Sequence, residues 1–222
     1  MAIIVPIEKF KFFPDKPKRT TTSCLKRLDN GRHTAVTKLD GWNLFMCNDD
    51  ETIECYSRTW KPLPVADHLK EAWLKLVKDG KIPNGSIVNC EWMRMRAGVS
   101  GPNDAYDGPE MIYPLTPYSM EGMFVGFRPY KERREWLETL GLPTDDLTVR
   151  DSAELEYELV LPAKAESEFE EFYELHKGVY RTEGLVICTN KGTLTANQDT
   201  TTKTKEMLKV KWRSGDTGRT EV

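Results

Sequence analysis

The spacing of apolar residues changes period several times along the chain, and each change marks an element. Thr34 to Lys38 and Trp42 to Cys47 read as two strands meeting at the Asp40-Gly41 turn. Thr52 to Arg58 alternates and continues the sheet. From Val65 to Lys78, Leu69, Trp73, Leu76 and Val77 recur at helical spacing, and Gly80 stops the run. Ser86 to Met93 and Met123 to Phe127 are strand-like, and Lys131 to Leu140 is a helix closed by Gly141. Ala163 to His176 reads as a second, acidic helix with Phe169, Phe172 and Tyr173 on its inner side. Gly184 to Thr189 and Met207 to Trp212 are the last strands, joined by the polar segment Asn190 to Lys205. Residues 97 to 118 are rich in Gly and Pro without a period, so they read as a substrate-facing loop or as disorder. The chain reads as a mixture of α and β with strands dominating the centre, followed by a loose tail over 213–222.

Composition narrows the function only slightly. The chain has 222 residues, enough for one large domain or two small ones, with 30% charged and 39% hydrophobic residues. A net charge of -3 means that any anion-binding surface is local; Lys9, Lys11, Lys16, Lys18 and Arg19 form one candidate, and Arg128 to Arg134 another. Five cysteines without a CxxC pair suggest buried, reduced thiols in a cytoplasmic protein, neither a zinc ribbon nor a disulfide framework. The apolar start is broken by Pro6 and Glu8, which argues against a signal peptide, and no stretch approaches a membrane span.

The chemistry concentrates where charges interrupt apolar strands. Lys38 ends one strand in Lys38-Leu39-Asp40-Gly41; such an amine can act as a nucleophile when it loses its proton. Arg58 follows in Tyr56-Ser57-Arg58-Thr59, Glu91 in Cys90-Glu91-Trp92, an aromatic in Phe124-Val125-Gly126-Phe127, and Glu183 in Glu183-Gly184-Leu185-Val186. Lys209 and Lys211 share one face of a strand whose other face is Leu208, Val210 and Trp212. Two ammonium groups side by side suit a polyphosphate lying between them, and their field would depress the pKa of Lys38.

Taken in order, KxDG, SRT, CEW, FVGF, EGLV and LKVKW resemble the nucleotidyltransferase motifs of the covalent superfamily of DNA ligases, RNA ligases and mRNA capping enzymes. The resemblance runs from Thr34 to Trp212 and implies an α+β, ATP-grasp-like nucleotidyltransferase domain over 1–212, with antiparallel sheets flanked by helices, using ATP with Mg2+ or Mn2+. It implies that Lys38 forms a lysyl-AMP, with Lys209 and Lys211 on the α-phosphate. It places Glu183, with Asp40, at a divalent metal and Glu91 and Arg58 on ribose or a substrate phosphate. Asp40 is alternatively a residue that holds Lys38, Gly41 allows close approach, and Phe127, with Phe124 as rival, stacks on the base.

Asn43, in KxDGxN, is similar to RNA ligases, as is Ser57-Arg58-Thr59, whereas Tyr130 to Leu137 is similar to a DNA-ligase helix. The residues after Trp212 are too few for the C-terminal OB-fold of DNA ligases, so the loop at 98–117 or a partner chain would close the site. The resulting expectation is an ATP-dependent polynucleotide ligase acting on RNA ends, of viral or phage-like size. A DNA nick ligase, or a protein that binds nucleotides or RNA ends without ligating them, is the alternative.

Overall fold

Period-two alternation sorts the strands into two five-stranded sheets that present one face each to a shared cleft. The computed structural model describes residues 15–49, 51–94, 106, 108–149, 154–177, 179, 181–195 and 203–211. The first sheet contains β1 (Lys16–Arg19), β2 (His33–Leu39), β8 (Lys164–Ala165), β9 (Thr182–Thr189) and β10 (Lys203–Lys211), in the order β1-β10-β9-β2-β8. The second contains β3 (Trp42–Asp49), β4 (Thr52–Ser57), β5 (Ile87–Met93), β6 (Met111–Met120) and β7 (Met123–Phe124), in the order β4-β3-β5-β6-β7. Every pairing is antiparallel except β1 with β10.

The two outer faces carry the cores. Ala35, Leu185, Ile187 and Val210 of the first sheet pack on α1 (Leu25–Leu28) and on Phe169 and Tyr173 of α4 (Phe169–His176). Leu44, Met46, Val88, Cys90, Trp92 and Ile112 of the second pack on α2 (Asp67–Lys78) and α3 (Tyr130–Glu138). Leu69, Trp73 and Leu76 recur every three to four residues, which turns one stripe of α2 onto that sheet. Fully burying side chains of this size contributes about 1.5–3 kcal/mol each. The inner faces carry the charged motif residues beside a smaller apolar cluster that includes Phe45, Cys47, Ile87, Tyr118 and Leu194.

Several sequence expectations change. β2 and β3 do not share a sheet: Asp40-Gly41 is the point at which the chain crosses from one sheet to the other. The aperiodic stretch contains a ten-residue strand, β6, within residues 106–118 and just beyond; 97–105 lie outside the described residues. Its pattern is broken by Pro114 and Pro117, which the sheet accommodates with register shifts opposite Ile87/Val88 and Asn89/Cys90. The acidic helix starts at Phe169, because Lys164–Ala165 instead pair with β2. Its start is fixed by Asp29, whose carboxylate accepts from the backbone N–H groups of Glu168 (2.7 Å) and Phe169 (3.4 Å). The strand expected over Met123 to Phe127 is only Met123–Phe124. β1 has no counterpart in the sequence reading. Trp212, the residues that follow it and part of the 190–205 segment lie outside the described residues.

Candidate active site

Cross-strand register brings the charged motif residues together. Lys38 of β2 stands opposite Gly184 of β9, and Gly184 in turn stands opposite Lys211 of β10. Opposed residues share a face, so the two lysines flank a residue with no side chain. A Cβ on Gly184 would overlap the Val210 carbonyl oxygen, so close packing of β10 on β9 demands glycine there. The β2–β9 register shifts between Lys38 and Leu39, leaving Glu183 as the extra residue of a bulge. The bulge aims its carboxylate at both amines: one oxygen pairs with Lys38 Nζ, and the other accepts from Lys211 Nζ at 2.5 Å. One step inward, Val36, Val186 and Lys209 form the next row of the same face.

The second sheet supplies the opposite wall. Gly41 N donates to Glu91 Oε1 (3.0 Å), tying the crossing point to β5. A Cβ at Gly41 would stand 2.6 Å from the Trp92 carbonyl oxygen, so the crossing also needs glycine. Asn43 is opposite Glu91, and its amide exchanges hydrogen bonds with that of Asn89 (3.1 and 3.3 Å). Arg58 comes from the turn after β4. Trp60 N donates to the Ser57 carbonyl (2.8 Å) and Lys61 N to Ser57 Oγ (3.1 Å). Trp60 adopts φ 60°, a conformation costly for a bulky residue, and its ring stacks on Phe45 at 4.7 Å between centroids.

Lys38, Gly41, Asn43, Arg58, Glu91 and Lys209 line one cleft of about 590 Å³ between the sheets. Glu183 and Lys211 join this group through their ion pairs. Asp40, 5% exposed, adds its charge beside the Lys38 amine and donates its backbone N–H to the Arg181 carbonyl (3.1 Å). Phe127 is 66% exposed and is not part of the cleft wall; Phe124 packs edge-on against Tyr118, 6.5 Å between centroids.

Electrostatics depart from expectation at Lys38. Burial alone pushes its pKa down, but Glu183, Glu91 and Asp40 together outweigh that push, and the amine sits above its ordinary value. The expected depression by neighbouring lysines is not what this arrangement produces, because the bulge inserts a carboxylate between the amines. Burial raises Glu183, but the two amines outweigh it and hold it below the usual carboxylate range. Glu91 is pushed up to about 7, chiefly by burial and against the pull of Lys38 and the Gly41 N–H.

Several cleft residues escaped the sequence reading. Asn89 was accessible to it, lying two residues before Glu91 on an alternating strand. Asp15 and Thr116 were not, since tertiary pairing alone carries their elements to the cleft, where they meet Arg133 of the basic run Arg128 to Arg134. Arg181, fully buried, supports the site from behind. It grips both carboxylate oxygens of Asp145 (2.9–3.1 Å) and donates to the Val149 (2.7 Å) and Asp146 (2.8 Å) carbonyls.

No group of three or more metal-ligating side chains occurs among the described residues. A Mg2+ ion shared with a triphosphate needs only one or two carboxylates, so Glu183, with Asp40 beside Lys38, fits that role. No helix among the described residues is long and apolar enough to cross a membrane.

No family model matches the sequence, and no curated protein matches it. Solved structures do match its fold. A mycobacterial DNA ligase D complexed with ATP aligns with TM-score 0.63 at 14% identity, covering 91% of this chain and 60% of the other. The ATP-dependent DNA ligase of bacteriophage T7, also with ATP, aligns with TM-score 0.58 at 18% identity, covering 91% and 69%. A Lig E DNA ligase gives 0.52 at 13% identity, covering 89% and 69%. The chain thus spans about 60% of the length of the DNA ligase D structure. It has the fold of the nucleotidyltransferase domain of ATP-dependent DNA ligases.

Proposed function

We propose that this protein is an ATP-dependent polynucleotide ligase whose nucleophile is Lys38. The observation that carries the reading is the single row Lys38–Gly184–Lys211, with Lys209 one step inward: three amines on one sheet face around a gap without a side chain. Like charges at this density repel one another, and in the ligand-free cleft Glu183, Glu91 and Asp40 offset them. A triphosphate that displaces the Glu183 pairs takes up both amines.

In the first step Lys38 Nζ attacks the α-phosphorus of ATP. A P–N bond forms, the bond to the bridging oxygen breaks, and pyrophosphate leaves. Attack needs a neutral amine, so the pair with Glu183 must be broken and a proton lost first. Lys209 and Lys211 stabilise charge developing on the α-phosphate. A divalent ion, when bound, shields the triphosphate, and Glu183, with Asp40, would hold it. Glu91 and Asn43 face the ribose, and Arg58 faces either the ribose or the acceptor phosphate. A 5′-phosphate oxygen then attacks the AMP phosphorus and frees Lys38. A 3′-hydroxyl attacks the activated end, and AMP departs.

RNA is the first substrate in this reading, on the Asn43 that ends the Lys38 motif. A DNA nick is the second, favoured by the helix that carries Arg133 and Arg134. Incubation with labelled ATP and Mg2+ should give a covalent adduct lost in Lys38→Ala. Sealing of 5′-phosphorylated RNA against nicked DNA then ranks the substrates, and faster sealing of all-DNA nicks would reverse the order.

A further inference from the structure

Arg133 is 3% exposed, yet it lines the cleft. Its guanidinium donates through Nε to the Arg128 carbonyl (3.0 Å), through Nη2 to the Gly192 carbonyl (3.3 Å), and through Nη1 to the Thr116 hydroxyl. All three acceptors are neutral. The other two fully buried arginines differ: Arg134 has Glu138 at 3.1 Å, and Arg181 has Asp145. Among the described residues no carboxylate forms an ion pair with Arg133, although buried Asp15 lies in its field. A buried cation without a direct ion pair is costly, and a guanidinium carries more N–H groups than these three bonds use.

Its depth identifies what those groups can meet. Thr116 is opposite Asn89, one inward-facing position deeper than Glu91. Cys188, which lies in the field of Arg133, is opposite Thr34, four residues from Lys38. At about 3.3 Å per residue, that places the guanidinium's row roughly 13 Å from the amine's row. A nucleotide with its α-phosphorus at Lys38 and its ribose at Glu91 and Asn43 carries its base to this end.

We infer that Arg133 reads the base, donating its remaining N–H groups to a ring-nitrogen acceptor on the edge of a purine. The inference rests on the reading of the cleft as a purine nucleoside triphosphate site. It assigns recognition of the base edge to α3, a role distinct from stacking on the base face.

The test compares self-adenylylation with ATP and with 1-deaza-, 3-deaza- and 7-deaza-ATP, in the wild-type protein and in Arg133→Lys. Each analogue lacks one acceptor nitrogen. In the wild type one analogue should show a KM raised about tenfold or more, the size of a lost bond from a buried charged donor. In Arg133→Lys that analogue and ATP should become equivalent, because lysine lacks the planar fork. Three analogues within about twofold of ATP in the wild type would overturn the inference, whether or not the variant folds. So would a penalty of the same size in both proteins. Absence of an adduct with ATP itself would instead overturn the reading of the cleft, a separate failure.

Discussion

The carboxylate of Glu183 reaches the amine of Lys38 only because β9 carries one residue more than β2 at that point. In a regular ladder, Glu183 would point to the opposite face from Gly184 and away from the lysine. The bulge therefore sets the ligand-free state of the site: an amine paired and protonated, and so not yet a nucleophile.

Removing that charge should lower the pH at which Lys38 titrates. Of the influences that raise it, Glu183 is the largest, acting against burial. In Glu183→Gln, modification of Lys38 by an amine-reactive acyl reagent should reach half its maximal rate at lower pH than in the wild type. Peptide mapping without nucleotide makes the measurement independent of catalysis. Superimposable pH curves would show that the pair does not control the amine.

Gly184→Ala should cost stability and activity together. The added methyl group meets the Val210 carbonyl, part of the backbone that carries Lys209 and Lys211, so β10 must shift. Overpacking of this kind typically costs about 1–3 kcal/mol. Urea unfolding should show a lower midpoint, and adduct formation in the folded fraction should slow because Lys211 leaves its row. Full stability with unchanged rates would contradict the close approach of the two strands.

Glu91 should make the fold less stable as pH rises. Its pKa is raised from 4.5 to about 7 by burial, so between these values the folded state holds a proton that the unfolded chain has released. Stability from this group is full below about pH 4.5 and falls as pH climbs through 7. Unfolding free energies at pH 5 and pH 8 should differ in that direction, with the drop reduced in Glu91→Gln. An equal drop in the variant would remove Glu91 as its source.

Asp145→Ala should be among the more damaging single changes. It leaves the Arg181 guanidinium fully buried without its carboxylate, which typically costs about 3–5 kcal/mol. The double replacement Arg181→Met with Asp145→Leu should recover most of the lost melting temperature. Should the double variant melt no higher than the single one, the loss lies elsewhere than the stranded charge.

The parts of the site visible in the sequence are those set by strand period: Lys38, Asn43, Glu91, Lys209 and Lys211 alternate with core residues on their own strands. What stayed hidden depends on pairing between strands. The bulge that aims Glu183 is a property of two strands together, and neither reads as irregular alone. The crossing at Asp40-Gly41 looked like a turn within one sheet, because no local signal separates a hairpin from a change of sheet. β6 was lost behind two prolines that only a shifted partner accommodates. Arg133 lay inside the Arg128 to Arg134 run, a basic candidate in which the sequence alone does not mark the guanidinium that turns inward.

Intact mass spectrometry and peptide mapping after incubation with ATP and Mg2+ test the central claim most directly. The account predicts a mass increase of one AMP on the peptide that contains Lys38, absent in Lys38→Ala. An unmodified Lys38 peptide with either Mg2+ or Mn2+, or the same AMP label persisting in Lys38→Ala, would contradict it.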